Sequence, residues 1–196
     1  MPHRHFTMNE LLQQIREGIA LQGFAIRHVL PSGSSPAYTY TVGLHQAGTS
    51  VPELVISGLS TETRVAWMLE LGFQIKGPPP LATQQQMEKA LAPGQTLTFP
   101  PGGRVFQPGV IYRDLTDNGL PACFGEVLPE YSEAYFGQAI AFHGTSAFPV
   151  LQIVWSDRRG RFPWNPLFER RFRSQQQILF DPTRSLPLKE ETNATS

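Results

Sequence analysis

Two stretches of this chain place residues that can do chemistry at close spacing. The first runs Tyr40-Thr41-Val42-Gly43-Leu44 into His45, with Glu53 in a Pro-Glu-Leu segment shortly after. A glycine at a strand end lets backbone approach a ligand closely, and it equally permits a bend or bulge. His45, where strand becomes loop, suits a general base or a metal ligand near neutral pH, although a lone loop histidine is more often simply solvated. Glu53, beside apolar residues, is a candidate acid or base, or an acceptor for backbone N–H groups at a strand start.

The second stretch runs from Trp155 to Trp164 and contains Asp157, Arg158, Arg159, Gly160 and Arg161. Its two tryptophans can wall a planar or sugar ligand, with Arg159 or Arg161 meeting an anionic group. Their structural alternative is core filling. Asp157 can hold a ligand or cap the Asp-Arg-Arg-Gly turn, the commoner role of such an acid. The candidate ligand-binding set is therefore Tyr40, Thr41, Gly43, His45, Glu53, Trp155, Asp157, Arg161 and Trp164. None is assignable as catalytic from sequence, and no metal ligand set is expected. Two further residues invite structural readings: His143 as the charged end of a helix, and Cys123 as a small buried hydrophobe.

Composition bounds what these residues can serve. Lys and Arg together number 16 and balance 16 Asp and Glu, so no net field draws nucleic acid or an anionic membrane, and neither partner is expected. One cysteine excludes an internal disulfide and a cysteine-based zinc site. No apolar run approaches the ~20 residues of a membrane span, and the start MPHRHFTMNE lacks a signal-peptide core, so a soluble cytoplasmic protein is expected. G-x-S-x-G, G-x-x-x-x-G-K, H-E-x-x-H and dinucleotide fingerprints are all missing.

The elements that must position these residues follow from periodicity. With 196 residues, 40% hydrophobic and rich in Gly and Pro, the chain reads as one α+β domain over residues 1–182, a mainly antiparallel sheet flanked by a few helices. Residues 183–196 read as a mobile tail. Thr7 and Glu10 form a capping-box signature for a helix over residues 8–22, stopped by Gly23. Strands are expected over 24–30, 37–44 and 53–59, then a helix from Ser60 to Gly72 and a short helix over 83–91. Strands over 96–99 and 105–115, a helix over 129–142 and a central buried strand over 148–155 complete the reading.

The motifs Tyr40-Thr41-Val42-Gly43-Leu44, Pro52-Glu53-Leu54, and Gln152-Ile153-Val154-Trp155-Ser156-Asp157 with Gly160 and Phe162-Pro163-Trp164 together resemble the bacterial domain-of-unknown-function family 4262. The family pattern is approximately YT-x-GL, PEL and QLVWPD-x-x-G-x-FPW, and the resemblance spans residues 10–165. Ser156 stands where the pattern usually has proline, which implies a less rigid turn before Asp157. The resemblance implies a compact cytoplasmic domain and supplies no reaction.

Three functions compete. The first is a small-ligand or cofactor pocket where the two stretches converge, with flavin raised only by analogy to split-barrel flavoproteins. The second is a non-enzymatic protein-interaction domain using the arginine-rich, aromatic C-terminal third. The third is metal-assisted or acid/base hydrolysis by His45, Glu53 and Asp157. A homodimer through open strand edges is also consistent with the pattern.

Overall fold

Thr7 begins the first helix, α1 (Met8–Gln22), through a complete capping box with Glu10, and Gly23 ends it in the left-handed conformation at φ 91°. The computed structural model describes residues 6–33, 35–92, 94–113, 115, 119–185 and 189–190. Three strands follow: β1 (Ala25–Val29), β2 (Tyr38–Val42) and β3 (Glu53–Ser57), each antiparallel to the one before. The helix α2 (Thr61–Lys76), capped by Ser60, leads to α3 (Leu81–Lys89) and the short strand β4 (Val110–Tyr112). Next come β5 (Ala122–Glu126), α4 (Pro129–Tyr135), α5 (Gly137–His143), β6 (Val150–Trp155), α6 (Arg170–Arg173) and β7 (Lys189–Glu190).

The strands form one sheet in the order β1-β2-β3-β6-β5-β4-β7. Four of its pairings are antiparallel, while β3 with β6 and β4 with β7 are parallel. The fold is thus α+β with a mainly antiparallel sheet, as the sequence indicates. Side chains alternate across the sheet. Leu54 and Ile56 face Trp67, Met68 and Leu71 of α2, whereas Tyr38, Tyr40, Val42 and Val55 face Ile15 of α1 and Phe136 and Ala139 around α5. Among the described residues no helix is long and apolar enough to cross a membrane.

Several expectations change. The segment 96–99 is irregular, and the described residues of 105–115 form the short strand β4 and an isolated bridge between Pro108 and Phe124. Strand β5 carries no strand signal in the sequence because Ala-Cys-Phe-Gly-Glu has little β-branched content; its place beside β6, with Phe124 fully buried, makes it a strand. The helix expected over 129–142 is two helices joined at Phe136, whose φ of −120° breaks the helical path. Past Asp181 lie a 3-10 turn at Pro182–Ser185 and the two-residue strand β7 beside β4, while the expectation of a mobile tail over 183–196 falls partly on 186–188 and 191–196, outside the described residues.

Helix α2 continues past Gly72 because that glycine serves packing rather than termination. A Cβ built there collides with the Phe24 ring. Gly72→Ala is therefore expected to cost about 1–3 kcal/mol through overpacking, although alanine is the better helix former. A urea midpoint equal to or above the wild-type value would show that Phe24 moves aside freely.

Candidate functional site

Strand β2 ends in an irregular corner where side chains replace the backbone ladder. The pairing with β3 stops at Tyr40 opposite Val55. Beyond it the Thr41 hydroxyl accepts the Leu54 N–H at 2.8 Å and donates to Glu53 Oε2 at 2.7 Å. Gly43 then turns the chain at φ 100°, where a side chain would be strained and a Cβ would lie 2.6 Å from Ile19. The turn aims successive N–H groups at one point: Gly43 and His45 donate to Glu53 Oε1 at 2.7 and 3.2 Å, and Leu44 donates to Oε2 at 3.3 Å. Such a run of backbone donors forms an anion-binding concavity, here occupied by the protein's own carboxylate.

A fifth donor comes from α5. His143, the last residue of α5, places Nε2 3.0 Å from Glu53 Oε1. Glu53 is 1% exposed and takes three donors on Oε1 and two on Oε2. Its lone pairs are committed, so it positions its neighbours and offers no free oxygen to a substrate.

Because Nε2 of His143 donates to the carboxylate, Nδ1 is the second, open nitrogen. His45 is half-buried and its Nδ1 lies 2.9 Å from the Val51 carbonyl. A carbonyl only accepts, so Nδ1 carries a proton, and in the neutral ring Nε2 bears the lone pair. The two imidazoles meet edge to face, with ring centroids 5.4 Å apart and planes at 74°. Phe148 backs both, 6.2 Å from His45 and 4.7 Å from His143. Phe148 also lines a cleft of about 660 Å³, whose wall includes Val150, Phe180, Ser132, Ser146 and Arg184.

Tyr40 does not join this corner. It is buried on the helical face against Tyr38 and Phe136, with ring centroids at 6.1 and 5.5 Å, and burial pushes its phenol pKa up.

The second stretch lies elsewhere. Glu53 pairs with Val150 at the start of β6, whereas Trp155 closes that strand, five steps of about 3.3 Å further on. The expectation that the two stretches share one pocket is therefore corrected: they occupy opposite ends of the β3–β6 pair. Trp155 is buried and its indole N–H donates to the Ser57 carbonyl at 3.0 Å. Trp164 stacks on Phe162 at 5.3 Å in a separate apolar cluster, so the tryptophans build no common wall.

Asp157 is 1% exposed and caps its own turn. It accepts from the N–H groups of Arg159, Arg161 and Glu169 at 2.9, 3.0 and 3.2 Å, and from the Arg161 guanidinium, whose Nε and second terminal nitrogen both lie 2.8 Å away. Burial pushes its carboxyl pKa upward, but the Arg161 side chain and these N–H groups outweigh burial and hold it at about 2. Arg161 is committed to this pair and is not free for an anionic ligand. Ser156 is held by its N–H to the Pro121 carbonyl at 2.9 Å, while its buried hydroxyl has no partner.

The hydrolytic set His45, Glu53 and Asp157 is not assembled, because Asp157 lies at the wrong end of β6. Among the described residues, no three His, Cys, Asp or Glu side chains converge to hold a metal ion. Cys123 is buried on β5, and burial pushes its thiol pKa up, away from a nucleophilic role. The residue that sequence reasoning missed is His143. Its helix-end position has an adequate explanation in the helix dipole, and no local spacing links it to Glu53, 90 residues away in the chain.

Comparison with known proteins gives a family without an activity. No curated protein matches the chain, and no solved structure matches it. The model of the family described as a domain of unknown function, DUF4262, matches residues 18–169, well over half of the chain. With both motif stretches and the turn around Glu53 inside that span, the chain belongs to the DUF4262 family.

Proposed function

We propose that this chain is a small-ligand-binding domain whose site is the corner of His45 and His143 together with the cleft that Phe148 also lines. One observation carries the reading. The two histidines are locked in defined orientations by Val51 and Glu53, each with its second ring nitrogen uncommitted, next to a concavity of a size that takes a small molecule. Of the residues singled out from sequence, Thr41, Gly43, His45 and Glu53 belong to this site. Glu53 and the turn position the histidines, and the cleft adds an apolar wall from Phe148, Val150 and Phe180 with polar Ser132, Ser146 and Arg184.

The test is a thermal-shift screen of metabolites, flavins included, on the full chain. Ligands that raise the melting temperature of the wild type are expected to lose that effect in Ala147→Trp. Ala147 is exposed on the cleft wall, so the indole fills the cleft without disturbing the core. No stabilising compound, or stabilisation unchanged in Ala147→Trp, would remove the cleft from the reading.

A protein-docking role has weaker support. It rests on exposed Arg158, Arg159, Arg170, Arg171 and Arg173 in the segment that carries Leu167, 71% exposed. Partner capture abolished by reversing these charges, with no metabolite stabilising the fold, would favour it.

A further inference from the structure

We infer that His45 and His143 together bind a transition-metal ion of borderline character, such as Zn²⁺, Ni²⁺ or Co²⁺, through His45 Nε2 and His143 Nδ1. The inference deepens the ligand reading at the histidine corner, and it is independent of whether the cleft takes a small molecule.

The first argument is tautomeric. A neutral imidazole that serves a metal needs one nitrogen deprotonated and aimed, with its other N–H fixed by an acceptor. Both rings meet that condition by different means. The Val51 carbonyl takes the Nδ1 proton of His45 at 2.9 Å, and the Glu53 carboxylate takes the Nε2 proton of His143 at 3.0 Å. These are the backbone-carbonyl and carboxylate supports that orient metal-bound histidines and raise their basicity.

Geometry agrees. Metal–nitrogen bonds of about 2.1 Å at a tetrahedral angle place two imidazole centroids about 5 Å apart. The centroids of His45 and His143 are 5.4 Å apart, within the small adjustment a side chain makes on binding. Access is also present. His45 is half-buried and the His143 side chain is 9% exposed, so neither ring is fully sealed from solvent. Phe148, with Phe142 at 5.2 Å from the His143 ring, supplies an apolar flank that limits competing hydrogen bonds to water.

Among the described residues no third His, Cys, Asp or Glu completes the set, so the remaining positions fall to water or to an added ligand. Nitrogen donors select zinc, nickel, copper or cobalt over magnesium or calcium, which prefer oxygen. Glu53 supplies a negative charge behind His143 that offsets part of the ion's charge.

The experiment is calorimetric titration of the full chain, freed of metal by a chelator, with Zn²⁺ or Ni²⁺ alone in a non-coordinating buffer. His3 and His5 are replaced by alanine in every sample, because they form a second pair of imidazoles close in sequence. One ion per chain is expected, with affinity at least tenfold weaker in His45→Ala and in His143→Ala and unchanged in His28→Ala, an exposed residue of β1. Mg²⁺ is expected to give no heat. If His143→Ala fails to fold, paramagnetic broadening by Ni²⁺ in the His3/His5-free protein decides: loss of the His45 and His143 ring signals supports the site, and loss of the His28 signal alone overturns it. No binding, or binding that survives His45→Ala unchanged, overturns it as well. Metal binding lost while small molecules still stabilise the fold would remove this inference and leave the cleft reading intact.

Discussion

Glu53→Ala is expected to lower the stability of this protein by roughly 3–5 kcal/mol, because it leaves several buried hydrogen-bond donors without their acceptor. The alanine leaves the Gly43, Leu44 and His45 N–H groups and the Thr41 hydroxyl facing a void, and orphaned buried donors cost about 1–3 kcal/mol each. It also releases His143 at the end of α5. Relaxation of the turn to admit water keeps the total below the sum of the individual losses. Glu53→Gln is expected to lose less. Its one remaining carbonyl oxygen can serve Gly43, His45 and His143, while its amide can donate to the Thr41 oxygen, leaving the Leu44 N–H and the Thr41 O–H without their acceptor. Urea unfolding of both variants measures the difference. An alanine variant within about 1 kcal/mol of wild type would show that the corner is held by something other than this carboxylate.

Asp157→Ala is expected to have the second largest effect, also roughly 3–5 kcal/mol, since three backbone N–H groups and the Arg161 guanidinium converge on that buried carboxylate. Its pH dependence has a definite sign. The folded-state pKa, about 2, lies below the ordinary aspartate value of about 3.9 in an unfolded chain. The stabilisation is therefore fully present above about pH 4 and is lost as pH falls through about 2. Asp157→Asn is expected to be less stable at neutral pH and to lose less further stability than wild type between pH 4 and 2. Parallel acid-unfolding curves for wild type and Asp157→Asn would refute the link between this carboxylate and acid stability.

Both acids stood out in the sequence, and in each case the structural alternative to a ligand role describes its contacts. Asp157 was legible because most of its partners are local: Arg159 and Arg161 lie within four residues, and a turn acid acts through its own backbone, whereas the Glu169 N–H twelve residues on was not legible. Glu53 was half legible. Pro-Glu-Leu before an apolar run suggested a strand-start acceptor, and the turn at Gly43 supplied the donors. The fifth donor was not legible. Likewise β1, β2, β3 and the capped start of α1 followed from periodicity and caps, while β5 and the break at Phe136 did not, since pairing with β6 and packing against Tyr40 decide them.

By itself the sequence determined the family, the α+β character, the N-caps at Thr7 and Ser60 and the local part of the Asp157 turn, all of which rest on motifs and patterns of residues near one another in the chain. Only the tertiary structure decided that Tyr40 to Leu44 and Trp155 to Trp164 stand at opposite ends of the β3–β6 pair and that His143 reaches Glu53. The physical reason is the parallel pairing of β3 with β6. It is made across a connection containing α2 through α5, so its register is set by burial of both strands in a common core. Once that register puts Val150 beside Glu53, the length of an extended strand carries Trp155 away from the corner, and α5, entering just before β6, delivers His143 to it.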